Sequence, residues 1–101
     1  MRVIAVSTLR EFWEEPANAD AEQPLKAWYA EAIKAKWDQP AAIKAQYGSA
    51  SFVGNNRVVF NIAGNKYRLI VAIAYRMQVA YVKFIGTHAA YDQIDAATVD
   101  L

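Results

Sequence analysis

The sequence has no cysteine and only one histidine among its 101 residues. Without cysteine there is no disulfide framework, no zinc–thiolate site and no catalytic thiol. A single histidine excludes a ribonuclease mechanism built on two histidines, and no serine lies in the context of a nucleophile elbow. A glycine-rich phosphate loop is also missing. These absences exclude several classes of hydrolase and of nucleotide-binding protein.

Long apolar segments are missing as well. The longest strongly apolar stretch, residues 69–75, is much shorter than the about 20 residues that a membrane-spanning helix needs. Residues 3–6 are too short for the apolar core of a signal peptide, so we expect a cytoplasmic protein with no membrane partner. Hydrophobic residues make up 55% of the chain, which predicts one folded domain over residues 1–101.

The first quarter of the chain predicts a strand followed by a helix. Residues 3–6 are apolar and rich in β-branched side chains, which favours a strand. Thr8 and Glu11 match a Thr-x-x-Glu capping box, which predicts a helix start at Thr8. Pro16 is expected to end this helix, and the acidic residues 18–23 are expected to form a loop.

Two further helices are predicted before the middle of the chain. Pro24 is compatible with the first turn of a helix, and apolar residues then recur at helical spacing over residues 25–37. Asp38 is a candidate N-cap for a short helix over residues 41–47, which ends near Gly48.

The second half of the chain predicts strands in succession. Residues 51–53, 57–62, 67–75 and 79–85 alternate with turn-forming residues, and a last helix is predicted over residues 88–98. Residues 67–75 are apolar at both odd and even positions, which indicates a central strand covered on part of both faces.

The order of the elements predicts the fold class. In the hairpin connection after the 57–62 strand, Gly64 and Asn65 are the residues that best tolerate positive φ. An early strand and helices, followed by successive strands and a final helix, indicate an α+β fold. We expect the N-terminal strand and the helices to pack on a small antiparallel sheet, with a C-terminal helix after it.

The charged residues are unevenly distributed although the net charge is only +1. Residues 1–23 and residues 92–101 each have a net charge of −3, whereas residues 24–91 have a net charge of +7. The total alone argues against a nucleic-acid partner, because nucleic-acid-binding domains are usually plainly basic. The basic middle of the chain reverses that argument.

Arg68 and Lys83 are the most informative cations because both lie inside predicted apolar strands. A cation there costs free energy unless it faces a groove or a partner. His88 and Tyr91 follow, one helical turn apart at the start of the predicted last helix. Two simpler interpretations stay open: His88 as a polar residue at a helix start, and Tyr91 as an ordinary core residue.

These four side chains fit the requirements of RNA cleavage. Attack by the 2′-OH of the RNA on the adjacent phosphate needs a general base, a general acid and positive charge on the phosphorane. A guanidinium suits the last task because its planar fork binds two phosphate oxygens. A catalytic site made of Arg68, Lys83, His88 and Tyr91 is therefore the leading hypothesis.

The chain resembles the HigB toxins of bacterial toxin–antitoxin pairs, which belong to the RelE-like superfamily. The resemblance runs through segments 2–4, 7–13, 21–29 and 55–62. Its most specific motifs are Gly64-Asn65-x-Tyr67-Arg68-Leu69 and Gly86-Thr87-His88-x-x-Tyr91-Asp92.

The resemblance implies a RelE-like α+β fold and an endoribonuclease, without metal or cofactor, that cuts mRNA, typically at the ribosome. It also implies a HigA-type antitoxin with a helix-turn-helix domain. By this analogy Arg68 stabilises the phosphate and Lys83 adds charge. His88 and Tyr91 share the proton transfers, with the assignment of acid and base left open.

Further RNA contacts are predicted from polar and basic side chains of the same middle segment. The predicted RNA-binding residues are Lys34, Lys36, Arg57, Asn65, Lys66 and Arg76. The lysines on the helix are explained equally well as a solvated helix face.

The chain departs from the family pattern at Ala90, where the related toxins usually have Glu. A Glu there would complete a capping box with Thr87, and its loss costs about 0.5–1 kcal/mol of helix stability. If that Glu instead assists catalysis, the chain is an attenuated toxin. The alternative function is therefore a non-catalytic module of the same fold that binds RNA or protein. A small-molecule sensor with an aromatic pocket is a third alternative.

Overall fold

Four α-helices and five β-strands make up the computed structural model, which describes residues 1–100. The strands are Arg2–Ile4 (β1), Ser51–Val53 (β2), Arg57–Ile62 (β3), Tyr67–Ala74 (β4) and Val79–Thr87 (β5). The helices are Val6–Glu14 (α1), Glu22–Lys34 (α2), Pro40–Gln46 (α3) and His88–Tyr91 (α4), with a 3-10 helix at Pro16–Ala21. The predicted α+β class is confirmed. None of these helices is long and apolar enough to cross a membrane.

The strands form one sheet in the order β1-β5-β4-β3-β2. Strands β2 to β5 pair antiparallel in succession, as the sequence predicts, because tight turns join them. β1 differs, since it pairs parallel to β5 with Arg2 opposite Val79 and Ile4 opposite Tyr81. The sheet is therefore mixed rather than wholly antiparallel, because a long connection that carries the first three helices separates β1 from its partner.

The face of the sheet that the helices cover, called the inner face, holds the main core. Its β4 side chains are the alternating residues Tyr67, Leu69, Val71 and Ile73, all buried. Trp28 of α2 packs edge-on against Phe60 of β3, with ring centroids 5.5 Å apart. Full burial of one such large apolar side chain contributes about 1.5–3 kcal/mol. The inner face therefore contributes most of the hydrophobic stabilisation.

The opposite face, called the outer face, is partly apolar and partly polar. Its apolar centre is a smaller cluster of Val59, Ile70 and Phe84. Residues 93–100, called the C-terminal segment, cover this centre with side chains of Ile94, Ala96 and Val99. β4 is thus buried on both faces over part of its length, as its apolar sequence predicts.

The N-terminal boundaries differ from the prediction. The first strand covers Arg2–Ile4, and Ala5 adopts a left-handed conformation with φ 69° before α1 begins at Val6. Ala5 has no side chain that could cap the helix. Thr8 lies inside the helix, where its N–H donates to the carbonyl of Ala5 at 3.0 Å. The predicted capping box is therefore wrong, because the helix starts two residues earlier.

The middle boundaries need three corrections. The acidic stretch predicted as a loop is helical, since Pro16–Ala21 forms a 3-10 helix that leads directly into α2. α2 ends at Lys34, earlier than the predicted helix over residues 25–37. Gln39, not Asp38, is the N-cap residue of α3, and it makes no side-chain capping bond.

The last helix is present but much shorter than predicted. α4 covers only His88–Tyr91, although the sequence pattern extends the helix over residues 88–98. Backbone carbonyls beyond it accept hydrogen bonds from side chains of the β2–β3 turn and of β3 instead. Asn55 Nδ2 donates to the Ala97 carbonyl at 2.6 Å and Arg57 Nη1 to the Ala96 carbonyl at 3.2 Å. These long-range bonds hold the C-terminal segment against the outer face.

Candidate active site

Arg68 lies on the outer face, opposite Asn61 of β3 and Gly86 of β5. Its guanidinium Nη1 donates to the backbone carbonyls of Asn65 at 3.0 Å and Tyr67 at 3.3 Å. The guanidinium carbon lies 6.0 Å from the ring centroid of Tyr91, within range of a cation–π contact. Within residues 1–100 no carboxylate forms an ion pair with Arg68.

Gly86 makes this arrangement possible, and it belongs to β5, which extends beyond the strand predicted over residues 79–85. A Cβ atom at Gly86 would lie 2.6 Å from the ring of Phe84 and 3.4 Å from the Cβ of Ala90. A larger residue would therefore displace Phe84, which packs beside Tyr91 in the outer-face cluster. The sequence signal for this close packing is the glycine itself, because a glycine in a strand often marks a site that other groups approach closely.

His88 stands at the first position of α4, next to the end of the β3–β4 hairpin. Thr87 caps the helix because its Oγ1 accepts the N–H of Ala90 at 3.1 Å. The backbone N–H of His88 donates to the carbonyl of Lys66 at 3.1 Å. The imidazole is 55% exposed, with Nδ1 at 3.3 Å from a carboxylate oxygen of Asp92. His88 is thus accessible, whereas Tyr91 is half-buried on the sheet.

Lys66 and Asn65 belong to the turn between β3 and β4. Asn65 is exposed and uses its backbone carbonyl to bind Arg68. The residues with positive φ in this turn are Ala63 and Gly64, so of the two residues that best tolerate this conformation Gly64 adopts it and Asn65 does not. The ammonium of Lys66 forms an ion pair with Asp20, and both side chains are about half-exposed.

Asp20 joins the 3-10 helix to this hairpin. One carboxylate oxygen accepts a hydrogen bond from Lys66 and the other accepts one from the hydroxyl of Tyr67. The bonds from Lys66 and Tyr67 hold the pKa of Asp20 below its usual value. The same carboxylate raises the pKa of the Lys66 ammonium and that of the Tyr67 hydroxyl. The sequence interpretation did not include Asp20, because it treated residues 18–23 as a loop.

Lys83 occupies a β-bulge in β5. Ile70 pairs with Phe84 and Val71 with Val82, so Lys83 is the extra residue between them. Its ammonium lies 3.3 Å from a carboxylate oxygen of Asp100 and 5.9 Å from the ring centroid of Tyr81. Three residues along β5 separate it from Gly86, a distance of about 10 Å. The C-terminal segment therefore holds Lys83, and its position lies about 10 Å along β5 from the residue opposite Arg68.

Arg57 is in a different environment from the one that RNA binding needs. Its side chain is buried, with the residue only 8% exposed. Nη1 donates to the backbone carbonyls of Ala96 and Val99, and Nε has no hydrogen-bond partner among residues 1–100. The structure thus places this predicted RNA-binding residue beneath the C-terminal segment rather than beside Arg68.

The remaining predicted RNA-binding residues lie at the opposite end of the sheet. Lys34 and Lys36 line a cleft of about 530 Å³ together with Ile33 and Gln78. Arg76 is exposed in the turn after β4, eight residues beyond Arg68, which corresponds to about 26 Å along a strand. The structure does not bring Lys34, Lys36 and Arg76 close to Arg68.

The fold and this site define the class of protein: a small α+β protein with a half-exposed arginine on one sheet face and a histidine and a tyrosine on the short helix beside it. A family model described as HigB_toxin, RelE-like toxic component of a toxin-antitoxin system, matches residues 21–94. The chain therefore belongs to the HigB toxin family. A comparison with curated proteins finds no match.

Proposed function

We propose that this toxin is an endoribonuclease that cleaves mRNA during translation and so blocks protein synthesis. It would act in the cytoplasm, where it meets the translating ribosome. The observation that carries the proposal is the setting of Arg68. Its guanidinium is bound on one side by the Asn65 and Tyr67 carbonyls and faces the Tyr91 ring at 6.0 Å. No carboxylate of residues 1–100 neutralises it.

The proposed reaction breaks the bond between phosphorus and the 5′-oxygen. The 2′-OH of the RNA attacks the adjacent phosphorus, and Arg68 stabilises the charge that develops on the phosphorane oxygens. His88 and Tyr91 supply the general base and the general acid. Lys66 and Asn65, which lie in the turn beside Arg68, contact the RNA backbone. Lys83 adds positive charge once a phosphate replaces Asp100 as its partner.

The hydrogen bond at Ala90 supports a capping role for the Glu that the family usually has at this position. Thr87 Oγ1 accepts the Ala90 N–H at 3.1 Å, which is one half of a capping box. A Glu at this position would add the second half, in which its carboxylate accepts a hydrogen bond from the Thr87 N–H. We therefore attribute the family's usual Glu to helix stability and favour an active toxin over an attenuated one. The alternative function, a non-catalytic module that binds RNA or protein, predicts salt-sensitive RNA binding without fragments.

The partner that we propose is a HigA-type antitoxin with a helix-turn-helix domain. An acidic segment of this partner would complement residues 24–91, whose net charge is +7. A small helix-turn-helix protein encoded next to this chain would support the assignment.

Growth of a bacterial culture tests the proposed function. Induction of the chain without an antitoxin is expected to arrest growth, and Arg68→Ala and His88→Ala are each expected to relieve the arrest. Arg76→Ala is the matched control, because Arg76 is an exposed cation at the far end of β4. If both site variants arrest growth as strongly as the unmodified chain, the proposed site is wrong.

A further inference from the structure

Asp20 reaches the candidate active site from a distant part of the chain. It lies in the 3-10 helix and forms hydrogen bonds with Lys66 and Tyr67, 46 and 47 residues away. The ring of Tyr67 is fully buried and meets the ring of Phe12 of α1 edge-on at 5.3 Å. Asp20 thus binds the one polar atom of a side chain that is otherwise locked in the core.

The segment that Asp20 holds also holds the proposed catalytic groups. The carbonyls of Asn65 and Tyr67 bind the guanidinium of Arg68, and the carbonyl of Lys66 binds the backbone N–H of His88. Tyr67 also pairs with Thr87, the cap of α4. Residues 65–67 are therefore a shared support for Arg68 and for the start of α4. Asp20 fixes two of these three residues.

Asp20 also reduces the positive charge of residues 65–67, because its carboxylate pairs with Lys66. Lys66 is the cation nearest in sequence to Arg68, and the Asp20 carboxylate neutralises part of its charge. An exposed ion pair of this kind contributes little to the stability of the fold. Its removal should therefore change the site more than the melting temperature.

We propose that Asp20 is a positioning residue of the candidate active site, which holds residues 65–67 in the geometry that Arg68 and His88 need and restrains Lys66. Asp20 touches neither the substrate nor the reacting atoms in this assignment. The kinetic part of the proposal rests on the proposed ribonuclease function, whereas the structural part does not.

Amide hydrogen exchange of the whole protein tests the structural part. Asp20→Asn keeps the size and one acceptor oxygen but removes the charge that holds Lys66. The matched control is Glu22→Gln, which removes the exposed ion pair between Glu22 and Lys26 on α2. Exchange of the His88 amide is expected to be about tenfold faster in Asp20→Asn and unchanged in Glu22→Gln. Equal His88 exchange in the two variants would overturn the proposal.

Cleavage of translated mRNA tests the kinetic part. Asp20→Asn is expected to lower kcat about ten- to a hundredfold, because small misplacements of catalytic groups are costly. The same change should lower KM about two- to fivefold, because Lys66 is then free to bind phosphate. A merely structural role lowers kcat through loss of folded protein and leaves KM unchanged. That pattern, with a matching loss of circular dichroism, contradicts the proposal.

Tyr67→Phe distinguishes the positioning of residues 65–67 from the charge of Lys66. It removes the hydrogen bond from Tyr67 to Asp20 but leaves the ion pair between Asp20 and Lys66. It is expected to lower kcat with KM unchanged and to speed His88 exchange. Unchanged kcat in this variant would count against positioning. If the unmodified protein cleaves no RNA, the proposed function fails, and the His88 exchange rates still decide whether Asp20 positions the support.

Discussion

The outer face of the sheet carries cations in two different settings. At the hairpin end, Arg68 is half-exposed, bound by two backbone carbonyls and faced by the Tyr91 ring. Beneath the C-terminal segment, Arg57 is buried against the carbonyls of Ala96 and Val99, and Lys83 pairs with Asp100. Both regions belong to the same basic part of the chain, but only the first leaves a guanidinium open to a phosphate.

This difference shows that the strand on which a cation lies does not determine whether that cation is available to RNA. Arg57 and Arg68 are on adjacent strands and on the same face. What separates them is the C-terminal segment, which supplies carbonyl acceptors to one and does not contact the other through any hydrogen bond among residues 1–100.

The largest effect is expected for Arg68→Ala. Loss of one preorganised charge at a transition state lowers kcat by about 100- to 1000-fold. The melting temperature should change little, because the hydrogen bonds of the guanidinium among residues 1–100 go to carbonyls of its own hairpin. Cleavage kinetics and thermal unfolding measure the two effects, with Arg76→Ala as the control. If kcat stays within threefold of that of the unmodified protein, the proposed role of Arg68 at the reacting phosphate is wrong.

Arg57→Met should have the opposite profile. It removes hydrogen bonds to the Ala96 and Val99 carbonyls and leaves these acceptors without their buried partner, which destabilises the fold by about 1–3 kcal/mol. Urea unfolding measures the change, and kcat of the folded fraction should stay the same. Unchanged stability with weaker RNA binding would instead make Arg57 an RNA ligand, as the sequence predicts.

Asp100→Asn tests whether the C-terminal segment competes with phosphate for Lys83. Removal of the carboxylate frees the ammonium and should tighten binding of an uncleavable 2′-deoxy oligonucleotide about two- to fivefold. Combining it with Lys83→Ala should abolish the gain. A gain that survives in the double variant would show that Asp100 acts on another cation.

Ala90→Glu is expected to have the smallest effect. Completion of the capping box at α4 should stabilise the protein by about 0.5–1 kcal/mol and leave cleavage unchanged. Thermal unfolding and cleavage are measured on the same preparation. An increase in cleavage of several orders of magnitude would show that the family's usual Glu takes part in the chemistry, and that this chain is attenuated.

Local patterns predicted the hairpin end of the outer face well. The strands around Arg68 follow from alternating apolar residues and turn residues such as Gly64, which are properties of neighbouring positions. The cation inside an apolar strand identified Arg68 as a candidate, and the Tyr91 contact agrees with the predicted grouping.

The part of the outer face beneath the C-terminal segment could not be predicted in the same way, because contacts between residues far apart in the sequence determine it. The helical pattern of residues 88–98 competes with hydrogen bonds from Asn55 and Arg57, 39 or more residues away, and the tertiary bonds prevail after Tyr91. Asp20 was missed for the same reason, since its partners lie on a strand far along the chain.

The central claim is that the Arg68 end of the outer face cleaves mRNA. Its most direct test maps the fragments formed when the purified protein is added to a translation reaction. The unmodified protein should give discrete fragments whose upstream pieces end in a 2′,3′-cyclic or 3′-phosphate, as attack by the 2′-OH requires, and Arg68→Ala should give none. Salt-sensitive RNA binding without fragments, or equal fragments from Arg68→Ala, would contradict the claim.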